Sequence, residues 1–171
     1  MSGAGAPDLT VDASDLRVAV IAGSWHEEIM SSLIDGAERS AAASGAEHEL
    51  FRVAGAFELP LAAQAALTSV NEGGGGFDAA VCLGVIIRGG TPHFEYVCAA
   101  VTDGLTRVQL DTGKPVGFGV LTTDTEQQAL DRSGRPGAPE SKGREAVEAA
   151  LHLAVTARAI RQAGLASPDP S

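Results

Sequence analysis

GVIIRGGTPHFEY, residues 84–96, is the stretch whose reading decides the fold. The apolar run at 79–87 stops at Arg88 and two glycines. Thr91 and Pro92 follow in the order that opens a helix, with Thr91 as N-cap and Pro92 at the first helical position. The pattern is strand, glycine turn, helix. Gly89 and Gly90 are expected to take backbone angles that let consecutive N–H groups converge, and the helix behind them adds its unpaired amides and the positive end of its dipole. Such a turn is suited to an anion such as a phosphate. His93, in the first turn of the helix, sets a proton carrier beside that cradle. A tight connection with a surface histidine is the plain alternative, and the crowding of Arg88, Thr91 and His93 around one turn weighs against it.

Upstream, residues 16–23 (LRVAVIAG) form a nearly continuous apolar run, the pattern of a strand buried on both faces. Ser24 and Glu27 have the spacing of a capping box, and Ile29, Met30, Leu33, Ile34, Ala37 and Ala41 then recur on one helical face until Gly45. Trp25 sits at the top of this unit, where loops at the carboxyl ends of strands gather ligands; packing over the helix start is the alternative. Residues 47–53 alternate polar and apolar, suggesting a strand near an edge. AGAFELP makes a turn, and Pro60 opens an alanine-rich helix to Val70. Glu58, beside Phe57 at the end of that turn, could accept hydrogen bonds from a polyol, although favourable charge at a helix start also accounts for it. Gly73, Gly74, Gly75 and Gly76 have no Lys or Ser/Thr after them and read as a flexible connection rather than a phosphate loop.

Downstream, Val97, Ala100, Val101, Leu105 and Val108 mark the buried stripe of the helix that follows the turn. PVGFGVL is a fourth strand ending at Thr122, Thr123 and Asp124, which are placed to cap a short helix at 126–132. SGRPGAP is a loop. The last helix, 142–162, carries Val147, Ala150, Leu151, Ala154 and Ala157 on one side, with His152 in a structural role. Strands alternating with helices give an α/β fold: a three-layer α/β/α sandwich with a four-stranded parallel sheet in flavodoxin-like order. Residues 1–14 read as a flexible arm, 15–164 as one domain and 165–171 as a disordered tail. Trp25, Phe57 with Glu58, the 88–93 turn and the 122–132 region should all emerge at one edge of the sheet, where the crevice of such a fold lies.

Composition narrows the function. A chain of 171 residues fits one domain, and a net charge of −10 argues against nucleic acid, which calls for a basic face. An anionic ligand must therefore meet a local positive site. No apolar run approaches the ~20 residues a membrane helix needs, and the N-terminus lacks the basic start and apolar core of a secretion signal. Cys82 in a strand and Cys98 in a helix, without a CxxC or Cys/His cluster, read as buried free thiols in a reducing compartment, which fits the cytoplasm.

GAFELP at 55–60, LGVIIRGGTPHFEYV at 83–97, FGVLTTDTEQQALDR at 118–132 and SKG from Ser141 together resemble the 6,7-dimethyl-8-ribityllumazine synthases of riboflavin biosynthesis. SWH from Ser24 is similar to the actinobacterial branch, which has tryptophan where many members have phenylalanine. The resemblance implies condensation of 5-amino-6-(D-ribitylamino)uracil with 3,4-dihydroxy-2-butanone 4-phosphate, releasing phosphate and water, without metal or organic cofactor. It implies that Trp25 stacks on the pyrimidine and that backbone groups of Val85, Ile86 and Ile87, with Lys142, address the ring's polar edge. Phe57, Glu58 and Phe118 would contact the ribityl chain, and Ala56 would belong to the same substrate-binding set. Gly90, Thr91 and Arg132 would hold the phosphate, and His93 would transfer protons. It further implies a homopentamer whose sites are shared between neighbours.

Two departures stand out. Gly90 replaces the glutamate, glutamine or serine of many members, which leaves a backbone N–H contact intact. The loop at 133–140 is longer than in members that form icosahedral shells, which favours a free pentamer. A weakly active paralogue that binds flavin or lumazine, and a scaffold subunit, are the alternatives. Retention of His93, Arg132 and Lys142 together favours the enzyme.

Overall fold

Nine consecutive residues without a charge, AAVCLGVII, form β3 (Ala79–Ile87), and all but the last are buried. The structure is a computed structural model that describes residues 9–70 and 75–165. β1 (Arg17–Ala22) lies on one side of β3 and β4 (Val116–Thr123) on the other, with β2 (Glu47–Arg52) outside β1. Among the described residues the sheet is therefore four parallel strands in the order β2-β1-β3-β4, the flavodoxin-like order expected.

Side chains alternate between two apolar layers, which is why the strands read as continuous apolar runs. Val18, Val20, Val81, Leu83 and Leu121 pack under α1 (Glu27–Ala43) and α5 (Lys142–Leu165). Ala19, Ile21, Ala80, Cys82 and Val120 pack under α2 (Leu59–Thr68) and α3 (His93–Thr112). β2 pairs only with β1 and is mostly exposed, as its alternating sequence suggested.

Several local expectations are corrected. Ser24 and Glu27 form no capping box: the Ser24 hydroxyl donates to Val53 O at 2.8 Å, and α1 begins only at Glu27 with His26 as its N-cap. Thr91 is not the cap of α3; Pro92 holds that position without a side-chain bond, and the helix opens at His93. Thr125, rather than Thr122, Thr123 or Asp124, caps α4 (Glu126–Leu130) by accepting from Gln128 N. Gly89 and Gly90 are not among the glycines with positive φ. Ala100 is exposed, one residue off the stripe that buries Val101, Leu105 and Val108. Cys82 is buried, which pushes its thiol up to about 12, but Cys98 is only partly buried. Of the expected arm, Ala13 is buried and its N–H donates to Ser44 O at 2.8 Å, whereas residues 1–8 lie outside the described residues. Gly73, Gly74 and residues 166–171 of the expected tail also lie outside them, whereas Leu165, its first residue, closes the last helix. No described helix is long and apolar enough to cross a membrane.

Glycines let α5 settle on its neighbours. A Cβ at Gly143 would stand 2.0 Å from the Leu33 carbonyl oxygen of α1, and one at Gly117 would stand 2.3 Å from Ala146 O. Gly143→Ala must therefore push α5 off α1, and its expected cost is about 1–3 kcal/mol of stability, as for other overpacked contacts. Urea unfolding measures it, and an unchanged midpoint would remove this close approach from the determinants of the fold.

Candidate active site

Two turns at the carboxyl edge of the sheet are laced together. After β1, Ser24 N donates to Ala54 O at 3.3 Å, and Arg52 at the end of β2 donates to Gly23 O at 3.1 Å and to Glu27 Oε2 at 2.9 Å. The hydrogen bond from Arg52, with its charge, holds the Glu27 carboxyl below its ordinary pKa. Between Trp25 and the helix, His26 takes φ 56° and ψ 62°, the left-handed region, and is the one non-glycine residue to do so among the described residues. That conformation costs a β-carbon residue about 1–2 kcal/mol. Trp25, just before it, is 69% exposed.

A short 3₁₀ turn, Ala56–Glu58, then carries Phe57, 64% exposed, and Glu58, whose carboxylate lies close to the tryptophan. Gly55 makes this possible: a Cβ there would lie 3.3 Å from both Trp25 Cδ1 and Glu58 Oε2. Ala56 packs toward β3, where a Cβ at Gly84 would come within 3.3 Å of it.

β3 outruns β1. Their pairing ends at Ala22 opposite Leu83, whereas β3 continues beside β4 to Ile87. Leu83 O accepts from Gly23 N, and Arg88 N donates to Thr123 O at 2.9 Å, so odd-numbered residues turn their backbone groups toward β1 and even-numbered ones toward β4. Val85 and Ile87 thus direct N–H and C=O into the space beyond the end of β1. Ile86 departs from the expectation that its backbone faces the ring, because its groups are directed to β4; its side chain and that of Val85 are buried. Gly90 and Thr91 are exposed in the turn that follows, and His93 is the exposed first residue of α3. A Cβ at Gly89 or Gly90 would meet nothing within 4 Å among the described residues, so the turn has room around it rather than a conformational need for glycine.

The remaining expected residues form a second cluster. Phe118, 45% exposed, Arg132 and Lys142 line a groove of about 700 Å³ between the outer side of β4 and α5, and none of the residues named in the first cluster lines it. Arg132, just past α4, is anchored through Nη1 to Gln128 O at 2.8 Å. Lys142 Nζ stands 2.6 Å from Glu140 Oε2 and 2.7 Å from Glu145 Oε2. Burial works against its charge, but the two carboxylates outweigh burial and hold its pKa above the ordinary value. Among the described residues no three His, Cys, Asp or Glu side chains are grouped to hold a metal ion.

Sequence reasoning missed Arg52, Glu140, Glu145 and the strained His26. Of these, only the carboxylates near Lys142 left a local signal, Glu145 lying three residues on.

A family model described as 6,7-dimethyl-8-ribityllumazine synthase matches residues 15–158. The chain is similar to proteins of that name from three organisms. It is 61% identical over 163 residues to the one from Leifsonia xyli subsp. xyli, which covers 94% of this chain and 99% of the relative. Identity is 56% over 164 residues with that of Streptomyces avermitilis, covering 95% and 98%, and 55% over 170 residues with that of a Nocardioides species, covering 98% and 100%. The matched residues span both clusters, and the chain belongs to the 6,7-dimethyl-8-ribityllumazine synthase family.

Proposed function

We propose that the protein condenses 5-amino-6-(D-ribitylamino)uracil with 3,4-dihydroxy-2-butanone 4-phosphate, giving 6,7-dimethyl-8-ribityllumazine, phosphate and water in the cytoplasm. The observation that carries the reading is the convergence, at the carboxyl edge of β1, β2 and β3, of an exposed indole, a carboxylate, free-facing backbone groups and a histidine on a helix start, in a chain of this family.

In this reading Trp25 covers the pyrimidine face. The backbones of Val85 and Ile87 address its polar edge, and Ile86 contributes by holding β3 to β4. Ala56, Phe57, Glu58 and Phe118 line the ribityl chain, while Gly90, Thr91 and Arg132 receive the phosphate. Lys142 faces the ring's polar edge from the second cluster. The uracil amine attacks the ketone and water leaves to give an imine. A proton is lost from the neighbouring carbon and phosphate departs, leaving an enol that tautomerises to a ketone, and closure of the ribitylamino nitrogen onto this new carbonyl expels a further water. His93 takes and returns these protons. Formation of a fluorescent, yellow product from the two substrates tests the proposal, and a pure, folded protein that makes none would refute it.

The same reading makes the protein a free homopentamer. Two half-sites that open on different sides of β4 in one chain become a whole site when the groove of one subunit meets the crevice of the next, and a head-to-tail contact of this kind closes into a ring. Exposed Leu61, Tyr96 and Leu110 on α2 and α3 supply apolar surface for it. The loop at 133–140, ahead of α5, disfavours packing of rings into shells.

Arg132→Ala should weaken use of the phosphorylated substrate and inhibition by inorganic phosphate. The loss of a charge-assisted contact is expected to cost about 1.5–3 kcal/mol. Unchanged phosphate inhibition would remove Arg132 from the phosphate site.

A further inference from the structure

The turn that carries Gly90, Thr91 and His93 lacks the usual means of holding its shape. No side chain caps α3, and nothing among the described residues lies within 4 Å of a Cβ built at Gly89 or Gly90. Backbone strain does not lock it either, since neither glycine has positive φ. What spans it is Arg88. Its main-chain N–H is fixed to Thr123 O at 2.9 Å, and its side chain arches across the turn. The guanidinium lies 4.3 Å above the Phe94 ring, Nη1 bonds Glu95 Oε1 in the first turn of α3, and Nε donates to Asp124 Oδ1 at 2.6 Å. Asp124 is tied in turn, its N–H donating to Gln128 Oε1 at 2.9 Å. One planar side chain therefore joins the end of β3, the start of α3 and the end of β4, a geometry that the guanidinium fork allows and an ammonium does not.

We propose that Arg88 is a positioning residue: by clamping Glu95, Phe94 and Asp124 it holds the anion turn and His93 in the geometry used for phosphate binding and proton transfer. Two of its five N–H donors already serve carboxylates whose charges offset its own, which favours action on the phosphate through the turn over direct ligation. The inference rests on the proposed lumazine synthesis.

The test compares Arg88→Met with the double variant Glu95→Gln and Asp124→Asn, using inorganic phosphate as the probe of the turn. All three side chains are about half exposed, where ion pairs contribute little to stability, so melting temperatures should stay close to the parent's. Arg88→Met is expected to raise the KM for the butanone phosphate, weaken phosphate inhibition and lower kcat/KM by roughly ten- to a hundred-fold, the scale of a small misplacement of reacting groups. Arg88→Lys should recover only part of the loss. The double variant separates the two possible roles by sign. Removing both carboxylates frees the guanidinium and lowers the negative charge near the phosphate, so phosphate would bind more tightly if Arg88 were its ligand. If Arg88 positions the turn, phosphate binds more weakly. Tighter binding in the double variant, or parent-like phosphate inhibition in Arg88→Met, would overturn the proposal while leaving lumazine synthesis intact. A parent protein that forms no lumazine would instead overturn the reading on which it rests.

Discussion

Replacing His93 by alanine is expected to lower kcat for lumazine formation by roughly 10²–10⁴-fold, the usual range for a general acid–base group. His93 is the first residue of α3, exposed, and it follows directly on the turn proposed to seat the phosphate. In the proposed reaction it would therefore stand where the proton next to the leaving phosphate is removed. The loss should fall on kcat more than on KM, because the imidazole acts in the steps after both substrates are bound. Activity should not vanish, since holding two substrates together can by itself lower a bimolecular barrier by about 7–11 kcal/mol. His152→Ala, on the exposed side of α5, is the control and should behave as the parent. Steady-state rates with both substrates decide the matter, and a His93→Ala enzyme as fast as the parent would take His93 out of the mechanism.

What was legible in the sequence was what depends on local pattern. β1 and β3 are buried on both faces, so their apolar runs were continuous and their positions could be read within a residue or two. The stripe of α1 was read correctly from Ile29 to Ala41 because a helix that covers a sheet needs one apolar side. The N-caps were not legible, since a hydroxyl binds whichever backbone group the tertiary structure brings closest. Ser24 had the right spacing to cap α1, yet its hydroxyl donates to Val53 O, just past β2. Long-range ion pairs are hidden for the same reason. Nothing in the sequence joins Arg52 to Glu27, or Arg88 to Asp124, until the parallel order places the strand ends side by side. The backbone groups of Val85 and Ile87 were reached only by resemblance, and their direction became clear from the register, because β1 stops short of them.

Mixing two crippled variants should restore activity that neither has alone, and this follows from how the site is divided. In one chain the crevice residues Trp25, Phe57 and His93 and the groove residues Phe118, Arg132 and Lys142 form separate clusters, with only the second lining the space along β4. If neighbouring subunits of a ring complete each other's sites, His93→Ala damages one half of every site and Arg132→Ala the other. Unfolding the two variants together and refolding them in equal amounts gives interfaces of random composition. About a quarter of these head-to-tail interfaces should pair an intact crevice with an intact groove, returning about a quarter of the parent's activity per site. If a single chain supplied both residues to one site, every site would carry one lesion and nothing would return. Native mass spectrometry of differently tagged variants establishes that mixed rings have formed. Mixed rings without recovered activity would rule out the shared site, and a particle of megadalton size in light scattering would rule out the free pentamer.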